Sequence, residues 1–134
     1  MNIGTFFTLY AISIPIFFLL DMLWLGLVAK DFYKTQLGHL MGEVQWIAAI
    51  LFYLLFLIGL TFFATYPAVA QHSIFKAALL GGLFGFFTYM TYDLTNYATL
   101  ASWPLSVVFV DMLWGTVLGA GVSALTYYLY VSFL

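Results

Sequence analysis

Four apolar stretches, each long enough to cross a bilayer, take up most of this sequence and leave few other ways for it to fold. They run over about 3–29, 44–66, 77–97 and 105–131, and a transmembrane helix needs roughly 20 largely apolar residues. Only 6% of the chain is charged, 66% is hydrophobic, and the mean hydropathy is +1.11. A soluble domain carries about a quarter charged residues. In hydrocarbon each backbone N–H and C=O must find a partner within the protein, which a helix provides from its own turns. The expectation is therefore an all-α, integral membrane four-helix bundle, up-down-up-down, forming a single transmembrane domain over residues 1–134.

The connections are short. Residues 30–43 hold Lys30, Asp31, Lys34 and Glu43, half of the charged side chains, and read as a polar connection. Pro15 should kink the first span, Pro67 should end the second, and Pro104 suits the first turn of the fourth. The first span lacks a basic leader and is longer than the apolar part of a signal peptide, so it reads as a retained span. Trp46, Tyr66, Trp103, Tyr127, Tyr128 and Tyr130 fall near span ends, where an interfacial aromatic belt belongs. The interior of the second span, from Ile47 to Phe63, has no ionisable group but Tyr53 and reads as scaffold or lipid-facing wall.

Small residues organise the last two spans. Ala77, Gly81, Gly85, Tyr89, Asp93 and Tyr97 recur every four residues, as do Asp111, Gly115, Gly119 and Ser123. Such spacing keeps each set near one helix face, and glycines there let two membrane helices approach closely. Gly81, Gly85, Gly115 and Gly119 thus predict a tight antiparallel pair of the third and fourth spans. The competing use of the same glycines is a homodimer interface.

Against this apolar background stand three intramembrane acids, Asp21, Asp93 and Asp111. Two lie in identical tetrapeptides, Asp21-Met22-Leu23-Trp24 and Asp111-Met112-Leu113-Trp114. An ionised Asp at a span centre costs roughly 2.5–3.5 kcal/mol on insertion scales, so such groups usually face protein or water and carry function. Counting at about 1.5 Å per residue puts all three near the same membrane face, within roughly 12 Å of their helix ends. Acids so placed would share protons rather than all ionise. Tyr92, Thr95, Asn96 and Tyr97 are nearby hydrogen-bonding groups. The expected site is acidic, and it suits a proton, a small cation or an amine better than an anion.

Several classes are excluded or disfavoured. The chain has no Cys and a formal charge of −2, with Lys30, Lys34 and Lys76 as its permanent cations. Thiol chemistry is absent, and there is no basic face for nucleic acid. His39 and Glu43, four apart, are the weak candidates for a metal site, since no double-His or repeated acid-x-x-His pattern supports one. No nucleophile elbow, phosphate loop or dinucleotide fingerprint occurs, and no cofactor is expected.

The segments Leu-Asp-Met-Leu-Trp-Leu-Gly at 20–26, Tyr-Asp-Leu-Thr-Asn-Tyr-Ala-Thr at 92–99 and Val-Asp-Met-Leu-Trp-Gly at 110–115, set within four spans, resemble a family of small bacterial membrane proteins that is a domain of unknown function. The resemblance covers nearly the whole chain. It implies a bacterial inner-membrane setting and supplies no catalytic residue.

Two main functions compete. In the first, Asp21, Asp93 and Asp111 bind or help transport a proton-coupled or cationic small molecule, with Trp24, Tyr89, Tyr97 and Trp114 as aromatic faces. Transport by so short a chain would call for a homo-oligomer. In the second, the protein is an intramembrane enzyme for a lipid or apolar substrate, one Asp acting as acid and another as base. A cavity open sideways to lipid favours the second, and a wet path across the membrane favours the first. An accessory membrane subunit is a third possibility. Lys30 and Lys34 lean the acidic face towards the cytoplasm, although Lys76 and the α-amino group pull the other way.

Overall fold

The computed structural model describes residues Met1–Leu134, and every regular element is helical. Four long helices, α1 (Ile3–Val28), α3 (Trp46–Ala70), α4 (Ile74–Thr99) and α5 (Leu105–Phe133), are long and apolar enough to cross a membrane. A short helix, α2 (Lys30–Leu37), follows α1. Asn2 caps α1 by accepting from the Thr5 N–H at 3.1 Å, and Ser73 caps α4 by accepting from Lys76 N–H at 3.2 Å. Each satisfies a donor that the first helical turn leaves free.

Three local details depart from the sequence reading. The connection after α1 is partly helical, because Phe32, Tyr33 and Leu37 fall on an inward face while Asp31, Lys34 and Thr35 stay exposed. Asp31 in its first turn and Lys34 in its last also match the helix dipole. The second span does not stop at Pro67 but runs on to Ala70. A wide turn over Thr61–Thr65, with Tyr66 N bonded to Thr61 O five residues back, precedes the proline. That wider ladder lessens the harm of a missing N–H. A similar turn covers Trp24–Val28, whereas α1 remains helical through Pro15. Pro104 sits just before α5 with an extended backbone rather than inside its first turn.

The dominant contact is between α4 and α5. There the glycines put backbone against backbone. A Cβ on Gly85 would lie 1.8 Å from the Gly115 carbonyl oxygen, one on Gly81 2.3 Å from Gly119 O, and one on Gly119 2.1 Å from Gly81 O. The stripe is therefore used inside the chain. Gly115 in turn makes room for the Tyr89 ring, 2.3 Å from where its Cβ would stand.

Inward-facing residues of α1 come every four positions, Leu9, Ser13, Phe17 and Asp21, and they cross three layers. One layer holds Asp21, Asp93 and Asp111. Phe17, Phe56, Leu57, Leu60 and Leu118 form an apolar layer beneath it. Beyond that lie buried hydroxyls, including Thr65 and Ser123, whose side-chain oxygens are 3.0 Å apart. The outer surface is apolar, with Ile47, Phe109 and Leu113 largely exposed, as a lipid solvent requires.

Candidate intramembrane site

Asp21 joins three helices. Its Oδ2 accepts from the Tyr53 hydroxyl of α3 at 2.9 Å, and its Oδ1 accepts from the Trp114 indole N–H of α5 at 3.1 Å. Asp111, on α5, accepts a hydrogen bond from the Tyr33 hydroxyl of α2, and that hydroxyl accepts from Trp24 Nε1 at 3.1 Å. The two tetrapeptides meet through their tryptophans: Trp24 and Trp114 stack with centroids 4.5 Å apart and planes 7° from parallel. Each indole thus serves the other motif's acid, Trp114 directly and Trp24 through Tyr33. Burial, and then the neighbouring Asp111 carboxylate, push the Tyr33 phenol well above its usual range, so it remains a protonated donor.

Asp93 is held differently. It is fully buried beside Asp111 and Trp103, yet neither of its oxygens nor Trp103 Nε1 makes a hydrogen bond of normal geometry. A buried carboxyl without partners is costly. A proton lying between Asp93 and Asp111 would satisfy one oxygen on each.

Asp21, Asp111 and their donors Tyr33, Tyr53 and Trp114 border a cavity of about 440 Å³, within the usual range for small-molecule sites, whereas Asp93 lies outside its wall. Asp21 and Asp111 supply its acids, and Tyr33, Tyr53, Tyr89, Tyr92, Trp103 and Trp114 its amphipathic aromatics. No Lys or His is in the lining. The cavity lies between the first half of α3 and the last turns of α4, which diverge here because α3 packs on α4 chiefly through Thr61–Thr65. Phe52, 47% exposed, and Tyr92, 57% exposed, line it on these two helices. Each is about 10 Å from its helix end at 1.5 Å per residue, so the opening faces the side of the bundle. Beneath the acids, the Phe17 and Leu57 layer closes the interior.

Several sequence-derived candidates are placed apart from this lining. Trp24 stands behind it, stacked on Trp114. Asn96 does not reach it, and Tyr97 is about half exposed away from it. Tyr97 is one turn beyond Asp93, in the last turn of α4 and past Tyr92, the last residue of that helix in the cavity wall. His39 Nε2 contacts Ser102 O at 3.3 Å and Ser102 Oγ at 3.2 Å, and no metal-ligating cluster forms around it or Glu43.

Residues outside the expected site enter it. Tyr53 is buried and bonded to an acid rather than being passive scaffold; its status as the one polar ring between Ile47 and Phe63 is the available signal. Trp103 lines the cavity instead of serving only as a surface anchor. Tyr33 comes from the connection, where nothing in the sequence distinguished it.

A family described as "Predicted membrane protein (DUF2177)" matches residues 6–128 of the chain. Neither the curated proteins nor the solved structures contain a match to it.

Proposed function

Because this chain belongs to that family of predicted membrane proteins, a domain of unknown function, we propose its role from the cavity: it binds the cationic, amine-bearing head of a membrane-resident amphiphile. The carrying observation is a side-facing cavity with two carboxylates, six amphipathic aromatics and no cation in its wall. Asp111 retains acceptor capacity beyond its bond from Tyr33, and the indole and phenol faces complement a positive head. The closed apolar layer below supports lateral entry over passage across the membrane. An oligomer is not needed to complete such a site.

The test is calorimetric titration of a short-chain primary alkylamine into the full-length protein in nanodiscs of zwitterionic lipid. Asp111→Asn and Asp21→Asn should each weaken binding at least tenfold, about 1.4 kcal/mol. The uncharged alcohol of the same chain length should bind much more weakly than the amine. Equal affinity for amine and alcohol, or unchanged binding by both variants, would reject the reading.

Acid–base chemistry on the bound head is a second reading, supported by Asp93 lying beside Asp111. One proton on such a pair makes one carboxyl an acid and the other a base. Turnover of a bound amphiphile that is lost in Asp93→Asn would establish this, and binding without turnover would leave the first reading.

We place the site at the cytoplasmic face of a bacterial inner membrane, on the strength of Lys30 and Lys34 beside it. The chain has no Cys, so Lys30→Cys and Leu100→Cys can be labelled singly in intact cells. Both should resist an impermeant maleimide added outside and react once the membrane is opened. Labelling of both from outside would invert the orientation.

A further inference from the structure

A second concavity, about 610 Å³, runs along the lipid-facing side of α4. Phe63 of α3 and Leu80, Leu83, Phe84 and Phe87 of α4 form most of its wall. Phe63 and Phe84 lie nearly parallel, with centroids 6.1 Å apart and planes 22° apart. From Leu80 to Thr91 the groove follows about 16 Å of helix and leads away from the acid layer towards the far half of the bundle.

One residue joins the two spaces: Thr88 lines both the acidic cavity and this groove. Its hydroxyl is occupied by its own helix, donating towards Phe84 O at 2.8 Å and Gly85 O at 3.1 Å. The junction therefore asks for no hydrogen bond from whatever passes it. The acidic, aromatic chamber and the groove lined by Phe and Leu thus adjoin at Thr88.

We propose that a single amphiphile fills both spaces, its amine head against Asp21 and Asp111 and one alkyl chain running past Thr88 along α4. This rests on the head-binding reading above and adds the chain and its path. The ligand class is a long-chain amine or a lipid with an amine-bearing head, since an acidic space adjoining an apolar one matches a head and tail in one molecule. A soluble cation would leave the groove without a role.

The experiment uses the full chain in zwitterionic nanodiscs and a long-chain primary alkylamine carrying a diazirine at its chain terminus. After irradiation, peptide mass spectrometry should find the label concentrated on the stretch from Leu80 to Phe87 and on Phe63. Thr88→Trp, which fills the junction, should reduce that labelling at least tenfold. Leu83→Trp, farther along the groove and outside the acidic cavity, should reduce the labelling as much while leaving short-chain alkylamine binding unchanged, which guards against a folding defect or a loss of head binding peculiar to the first variant. Labelling of Phe109 and Leu113 on α5 at the level of the groove, or labelling insensitive to both variants, would overturn the chain path. If short-chain amine still binds in that case, the head-binding reading stands; if wild-type protein binds neither amine, both fall.

Discussion

Gly85→Ala should destabilise the folded bundle by about 3 kcal/mol or more, the upper end of what overpacking a close-packed interior costs. The added methyl would sit 1.8 Å from the Gly115 carbonyl oxygen and 2.7 Å from its carbon. Neither atom can rotate away, because both belong to the backbone of α5. Relief requires separating α4 from α5, which also moves Asp93 relative to Asp111. The neighbouring Gly82 provides the control: a Cβ there meets the Ala120 methyl at 3.5 Å, an ordinary contact. Gly82→Ala should therefore be neutral within about 1 kcal/mol and gain the small helix-propensity benefit of Ala over Gly. Reversible unfolding of both variants in mixed micelles of mild detergent and dodecyl sulfate measures the difference. Equal stability of the two would show that the glycine faces do not hold these helices together.

Removing the Asp21 side chain should have the next largest effect. Asp21→Ala strips the acceptor from both Tyr53 and Trp114, and each buried donor left unpaired costs about 1–3 kcal/mol. The expected loss is about 2–6 kcal/mol before any local rearrangement. Asp21→Asn keeps one oxygen acceptor and should lose about half as much, while still losing the charge that an amine would meet. A spectroscopic signature separates this from general loosening. Trp114 is held by Asp21 and stacks on Trp24 at 4.5 Å, so the near-ultraviolet dichroism of the coupled indoles should collapse in Asp21→Ala. Unaltered dichroism together with unaltered unfolding would rule out Asp21 as the organiser of this layer.

Much of this arrangement is legible in the chain itself. Run length and lack of charge dictate the spans, because hydrocarbon tolerates little else. The small-residue spacing foretells the α4–α5 pair, since only glycine lets carbonyl and backbone meet so closely. Less legible was the support around the acids. Tyr53 and Trp103 have obvious bland roles, in a span interior and at an interface; the partner of Tyr53 lies 32 residues away, and Trp103, in the turn after α4, folds back to meet the Tyr92 ring edge-on at 5.8 Å. Asn96 and Tyr97 neighbour Asp93 in sequence but lie past Tyr92, the last α4 residue of the cavity wall, and only the position of that wall separates them from the site.

Composition and periodicity by themselves determined that this chain crosses a membrane as helices, pairs its last two spans and carries three acids inside. Those properties follow from local rules of hydration, helix pitch and side-chain size. Tertiary structure decided which donors hold Asp21 and Asp111, left Asp93 without them, and parted α3 from α4 beside the acids while closing the core below. Such outcomes depend on how helices diverge along their length, which is set by packing at the Thr61–Thr65 turn and the glycine faces together and is written in no single segment.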